Sequence, residues 1–244
     1  MYVRFFKRLF DFFLSLFALL VLSPVLLVLM LVGAVAMRGN PFFTQLRPGK
    51  VSRRTGRERI FKMIKFRTMS NAKDKEGNLL PDELRLNGYG KFLRSTSLDE
   101  LPELFNILAG DMSIVGPRPQ LVRDMVFMTA EQRRRHSVPP GLTGLAQING
   151  RNNITWEQKF AYDLQYIDEG ISALHDAAII FKTVGKVFSR SDTEREGTAS
   201  DLDFGDWLMM EGKIDRATYE EKQAEAKALL AGSVTSTTDG HDQV

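Results

Sequence analysis

The run Arg94-Ser-Thr-Ser-Leu-Asp99-Glu100-Leu-Pro-Glu-Leu-Phe-Asn-Ile-Leu108 sets two carboxylates side by side at the mouth of a predicted helix. The segment Gly110-Asp-Met-Ser-Ile-Val-Gly-Pro117-Arg118-Pro119 follows at once. One reading of the pair is structural. Ser97 and Glu100 stand at capping-box spacing, and acids in a first turn are stabilised by the helix dipole by about 0.3–1 kcal/mol. The other reading starts the helix at Pro102, a residue suited to the first helical position, and leaves Asp99 and Glu100 just outside its N-terminus. Exposed amides there keep a carboxylate ionised and can hold a phosphate. An ionised aspartate so placed can attack phosphorus and form an acyl-phosphate. Neighbouring residues project in different directions, so the two acids should have distinct roles. Arg94, Arg118 and Arg151 could give bidentate phosphate contacts. Magnesium, a hard cation with oxygen ligands, is the natural partner of a carboxylate and a pyrophosphate, and Asp99 is its candidate ligand.

The elements that must position these groups begin with an anchor. From Phe12 to Met37 the chain carries no formal charge and is almost wholly apolar, long enough to cross a hydrocarbon core of roughly 30 Å as a helix. Ser23-Pro24 interrupts it near the centre. Proline removes a backbone donor there, and the serine hydroxyl can serve the groups set free. Arg4, Lys7 and Arg8 precede the segment, and Arg38 and Arg47 follow it. A spanning helix shows positive charge on its cytoplasmic side only. Basic residues on both flanks fit a re-entrant helix-break-helix, each arm about a dozen residues and roughly 18 Å long. A spanning helix is the rival. Asp11 at the entrance reads as an interfacial residue or a partner for a nearby cation.

The 244 residues include no cysteine, which excludes disulfides, thiolate metal sites and a cysteine nucleophile. His136, His175 and His241 are scattered, which argues against a histidine-rich zinc site. Net charge is only +3, but Arg47, Lys50, Arg53, Arg54, Arg57, Arg59, Lys62, Lys65 and Arg67 crowd one region with Glu58 as its single acid. Beside an apolar anchor this reads as a surface for anionic headgroups or phosphates. No familiar nucleic-acid-binding motif is present, so nucleic acid is not an expected partner. Arg59 to Thr68 has the content of a strand. The segment 71–87 reads as an exposed loop, 101–108 as a short helix stopped near Gly110, and 121–135 as a helix. Trp156, Phe160, Leu164 and Ile167 recur at helical spacing. Ile171 to Phe188 is amphipathic, either a core helix or one lying on a membrane. From Ser189 the composition turns polar, Ala217 to Leu230 forms a separate helix, and the last dozen residues look disordered.

These residues together resemble the monotopic bacterial phosphoglycosyl transferases, the sugar transferases that begin glycan assembly on a polyprenyl carrier. The resemblance rests on Ser23-Pro24, Gln45-Leu-Arg-Pro-Gly49, Lys65-Phe-Arg-Thr-Met69, Arg94 through Leu104, Gly110 through Pro119, and Pro140-Gly-Leu-Thr-Gly-Leu-Ala-Gln-Ile-Asn-Gly-Arg-Asn152. It implies a mainly helical α+β chain with a small β element, with a re-entrant anchor over 1–40 and a catalytic domain over 41–190; composition adds a polar tail with one helix over 191–244. It implies transfer of a sugar 1-phosphate from a UDP-sugar to polyprenyl phosphate, releasing UMP, at the inner leaflet of the bacterial cytoplasmic membrane with the domain facing the cytoplasm. On this resemblance Asp99 is the nucleophile and Glu100 its dyad partner. Arg94 and Arg151 bind phosphate, Pro117-Arg118-Pro119 lines the nucleotide site, and Asp176 matches a late acidic position. Asp201-Leu-Asp203 mimics an Asp-x-Asp motif but lies in the polar tail, outside the resemblance. The tail helix could serve a homodimer contact or nothing.

Two rival readings of the function remain. A non-catalytic membrane-surface module in a glycan-assembly complex explains the anchor and the cations, but leaves the carboxylate pair unused. A phosphohydrolase would release sugar phosphate without a lipid acceptor.

Overall fold

The computed structural model describes residues 2–150, 154–189 and 202–238. A π-helical turn, Tyr2–Phe6, leads into α1, Lys7–Ala36, which at 1.5 Å per residue is about 45 Å long. The helix runs through Pro24 as one element rather than as two separate arms. The carbonyl that the proline cannot serve is that of Leu20, four residues back, and Ser23 Oγ donates to that oxygen at 2.8 Å. The serine offsets locally what the proline removes.

The buried stripe of α1 is Lys7, Asp11, Ser15 and Leu19, then Leu29 and Gly33. Its first members lie four residues apart, on one face. Three are polar, and each has a partner: Lys7 Nζ meets Asp176 at 2.7 Å, Asp11 Oδ1 accepts from Ile114 N at 2.9 Å, and Ser15 Oγ donates to Phe12 O at 3.0 Å. The opposite side exposes Phe13, Phe17, Leu20, Val21, Leu27, Val28, Leu31 and Val35. Polar groups turn inward and apolar ones outward, the reverse of a helix on a water-soluble domain.

The strand expected over Arg59 to Thr68 is present as β2, Glu58–Phe66, paired antiparallel with β1, Phe42–Val51, from Phe42 opposite Phe66 to Val51 opposite Glu58. One face of the hairpin buries Phe61 and Met63 against Leu19 of α1 and against Leu104 and Ile107 of α4, Glu103–Ala109. Further along, Phe66 stacks on Phe42 and meets Leu29 of α1 and Leu93 of α3, Gly88–Thr96. Between β2 and α3 the chain is largely loop, with one short turn of helix, α2, Asp82–Arg85.

Two short parallel strands, β3 (Ser113–Val115) and β4 (Gly141–Thr143), bring distant loops together. Between them the single helix expected over 121–135 is resolved into α5, Val122–Met125, and α6, Ala130–Arg133, with a 3-10 turn to Ser137. Thr129 is the reason. It accepts from Gln132 N, and Gln132 reaches back to Thr129 N, so a new helix is capped where the old one would have continued. After α7, Leu145–Ile148, come α8, Trp156–Asp168, and α9, Ala173–Ser189, close to the bounds the apolar stripes predict. Trp156, Phe160 and Tyr166 are buried, while Leu164 and Ile167 are half-buried. The tail holds α10, Phe204–Met210, and α11, Arg216–Thr238. Of the terminal dozen residues expected to be disordered, 233–238 belong to α11, while 239–244, and Arg151, lie outside the described residues.

Candidate active site

Asp99 and Glu100 sit in a 3-10 turn, Leu98–Glu100, between α3 and α4. Ser97 has a left-handed backbone (φ 58°) that ends α3 and turns the chain. Its side chain makes no cap to the turn, so the capping-box reading does not hold. Pro102 is instead the N-cap of α4, one residue before the first helical position that the second reading gave it, and the two acids lie outside that helix as that reading has them. Asp99 is half-buried and Glu100 is buried. The adjacent acids therefore occupy different surroundings.

Asn106 fixes α4 against the hairpin. Its side-chain amide accepts from Ile64 N at 3.0 Å and donates to Lys62 O at 2.8 Å, mimicking a neighbouring strand. That docking brings Lys65 to the acids. Lys65 Nζ donates to Glu100 Oε1 at 2.9 Å and lies 3.1 Å from Glu103 Oε1. The second contact is an ion pair, and among the described residues neither buried Glu103 oxygen has a well-directed hydrogen-bond donor. Burial pushes the Glu103 carboxyl above its ordinary range, against the pull of Lys65.

Arg118 completes the cluster, donating to the same Glu100 oxygen at 2.5 Å. The Glu100 charge raises the Arg118 pKa despite burial, and Asp99 is near enough to add to the effect. The turn that presents Arg118 is held by its carbonyls. Pro117 O accepts from Gly141 N at 2.9 Å, Arg118 O from Arg135 at 2.7 Å, and Pro119 O from Arg47 at 3.1 Å. Two of the three residues have no N–H, so little else in the turn's backbone needs a partner. Glycine permits the close crossing here: a Cβ on Gly141 would lie 2.1 Å from Gly116 N. Arg135 is itself fixed by Asp163 in a fully buried pair. Burial, and then the nearby Arg118 charge, lower the Arg47 pKa to about 10.

Arg94, in the last turn of α3 just before the turn that carries Asp99, donates from Nε to Thr68 Oγ1 at 3.1 Å. Asp176 does not join this group. Its Oδ1 accepts from Tyr166 at 2.7 Å, and its Oδ2 from Tyr2 at 2.8 Å and Lys7 at 2.7 Å. The acid expected at the substrate is instead a buried latch between the chain's N-terminus and α8–α9, with both oxygens engaged. Asp203 is likewise structural, pairing with Arg123 at 2.7 Å, and Asp201 lies outside the described residues. The basic cluster divides: Arg47 and Lys65 enter the site, while Arg53, Arg54 and Arg57 are exposed at the hairpin end.

Type and spacing do not single out Glu103, and they mark Arg47 and Lys65 only as members of the basic cluster. For Lys65 a signal existed. Alternation from Phe61 through Met63 puts it on the inward face, where a lone cation needs a reason.

A cavity of about 520 Å³ opens beside the cluster. Leu14 and Phe17 of α1 and Ile180 and Val184 of α9 form much of its apolar wall, and Glu100 and Arg118 reach it. Among the described residues no group of three His, Cys, Asp or Glu could hold a metal ion. The acids do suit a cation that arrives with phosphate: magnesium is commonly bound by one or two carboxylates plus substrate phosphates rather than by an all-protein cage.

The bacterial sugar transferase family matches residues 2–190, and the chain belongs to that family of transferase enzymes. It is 46% identical over 181 residues to the sugar transferase EpsL of Bacillus subtilis, covering 74% of this chain and 86% of the relative. It is 42% identical over 193 residues to the UDP-glucose:undecaprenyl-phosphate glucose-1-phosphate transferase of Klebsiella pneumoniae, covering 75% of this chain and 40% of that protein. It is 33% identical over 205 residues to the undecaprenyl-phosphate galactose phosphotransferase of Salmonella typhimurium, covering 77% and 41%. The match thus takes in less than half the length of the latter two.

Proposed function

We propose that this enzyme transfers a sugar 1-phosphate from a UDP-sugar to a polyprenyl phosphate such as undecaprenyl phosphate, through a phosphosugar-aspartate. The observation that carries the reading is the juxtaposition of Glu100 and Arg118 with a cavity walled by the apolar anchor helix. Such a site lets an anionic headgroup and a hydrocarbon chain approach from the membrane side. The names of the Klebsiella and Salmonella relatives support the substrate classes.

In the first step an Asp99 carboxylate oxygen attacks the β-phosphorus. The bond from that phosphorus to the bridging oxygen breaks, and UMP leaves with the electron pair. In the second step a lipid phosphate oxygen attacks the same phosphorus, and the bond to Asp99 breaks, restoring the carboxylate. Arg118, with Arg94 and Arg151, holds the phosphates, while Lys65 and Arg118 fix Glu100 beside the reacting acid. Positioning and charge stabilisation account for most of the rate. Asp99 would hold a magnesium ion that, when bound, offsets the charge of the diphosphate.

The anchor reads as monotopic. Near one end of α1, Arg8 donates to Ile107 O and Leu108 O; at the other, Ala36 O accepts from Asn87 Nδ2. A helix tied to one domain at both ends, with apolar residues facing out, fits insertion into a single leaflet. Basic residues at both flanks favour the cytoplasmic leaflet of the inner membrane.

The test uses a UDP-sugar labelled in the sugar and its β-phosphate. Wild type without acceptor should take label onto the protein and release one UMP per site; Asp99→Asn should do neither. Unimpaired labelling of Asp99→Asn would remove it as nucleophile. UMP release that requires both substrates together would remove the covalent step, and free sugar phosphate as the product would favour a hydrolase.

A further inference from the structure

Gln147, in α7, lines the same cavity, and among the described residues its Oε1 and Nε2 are both buried with no hydrogen-bond partner. An amide left so costs its desolvation, and native folds retain few such groups. The position is built for it. Gly144 has an extended backbone that any residue adopts, yet a Cβ there would lie 2.9 Å from Gln147 Oε1 and 2.2 Å from Gly116 O. Glycine at 144 leaves the slot in which the amide rests.

The two atoms select among the chemistries that could fill the cavity. Nε2 only donates and Oε1 only accepts. A prenyl chain satisfies neither atom. A phosphate has acceptors alone, so it could serve Nε2 but would face Oε1 with like charge. Hydroxyl groups both donate and accept, and two neighbouring hydroxyls of a pyranose can serve both atoms at once. Resting on the functional reading above, we infer that the Gln147 side chain turns from this slot into the cavity when the nucleotide sugar binds, and that its carboxamide then reads the hydroxyl pattern of the transferred sugar, making it a specificity-determining residue of this enzyme.

The experiment is a cycle of protein and substrate changes in the full-length enzyme. Wild type and Gln147→Leu are compared on the preferred UDP-sugar and on its single-deoxy analogues, in binding affinity and in kcat/KM. Removal of either of the two hydroxyls that Gln147 reads should cost wild type about ten-fold or more. Gln147→Leu should show at least that loss on the parent sugar, no further loss on those two analogues, and wild-type sensitivity at the other positions. Its melting temperature should equal or exceed that of wild type, because an unpaired amide has gone. If leucine impairs folding, Gln147→Met carries the same cycle. Equal loss on every analogue, or no loss on any, overturns the inference. A cycle intact in binding with no transfer by wild type would retract the transferase chemistry and leave the Gln147 assignment standing.

Discussion

Asp176→Asn separates two incompatible accounts of one residue. As a substrate ligand, Asp176 could lose its charge with little effect on folding. As a latch it could not. Lys7 and Asp176 are 5% and 4% exposed, and the carboxylate takes two tyrosine hydroxyls besides the ammonium group. An asparagine can still serve Tyr166 by turning its amide nitrogen to that hydroxyl, which can accept, and its oxygen to Tyr2. The Lys7 charge then has no counter-ion. Breaking a buried pair on one side costs about 3–5 kcal/mol, which for a chain of this size lowers Tm by roughly 6–20 °C. Adding Lys7→Met removes the stranded charge, so the double variant should melt above Asp176→Asn alone, a coupling that a substrate role does not predict. The assay is thermal unfolding in detergent at one scan rate, with UDP-sugar affinity measured in parallel on folded protein. A variant that melts as wild type does but binds nucleotide sugar far more weakly would refute the latch.

Two further outcomes follow from packing and charge. Phe204 is 2% exposed among Trp156, Phe160 and Met128, and its amide donates to buried Asp124. Phe204→Ala should therefore cost about 3–5 kcal/mol, read by denaturant unfolding. If it melts like wild type, the tail is not docked as described. His136 is held neutral mainly by burial, so its pKa is lowered from 6.5, and the unfolded chain binds an extra proton below that pH. Burial opposes ionisation of its partner Glu58, but the His136 hydrogen bond and the Arg133 charge bring that carboxyl down to about 2. Stability should fall as pH drops below about 6.5, and fall again from about 4.5 towards 2. In a Tm-against-pH series His136→Gln should remove the first fall, and a series unchanged by that substitution would reject the assignment.

Much of this architecture can be read from residue order. The anchor, the second strand, α8 and α9 follow from apolar content and period, and Pro102 places the acids outside a helix. The break between α5 and α6 was legible too, in Thr129 and Gln132, the same cap spacing that Thr155 and Gln158 use to open α8. What could not be read is α10. Asp203-Phe-Gly-Asp-Trp is a polar run with two aromatics, and it becomes a helix end because Phe204 meets the rings of Trp156 and Phe160, far earlier in the chain, and Trp207 stacks on Phe204. Asp176 misled for a related reason. Its identity suited a phosphate site, while its role depends on Lys7 and Tyr2, which are distant in sequence. Long-range partners, rather than local propensity, decided each of these cases.

The charge balance of the site gives the physical case for a divalent cation. Lys65, Arg118 and Arg47 supply three positive charges around Asp99 and Glu100, and burial favours the neutral form of Glu103. Set against ionised Asp99 and Glu100, these three cations leave one positive charge, to which the proposal adds Arg94 and Arg151 at the phosphates. On that proposal a nucleotide sugar brings two ionised phosphates to an aspartate that must itself stay ionised to attack. Like charges repel more strongly in a half-buried site than in water, so each added cation lowers the cost of that load. Burial raises the Glu103 carboxyl and so opposes a further negative charge here, while Lys65 pulls the other way. On the proposed mechanism the protein would supply the nucleophile and its geometry, and a magnesium ion arriving with the substrate would add further positive charge.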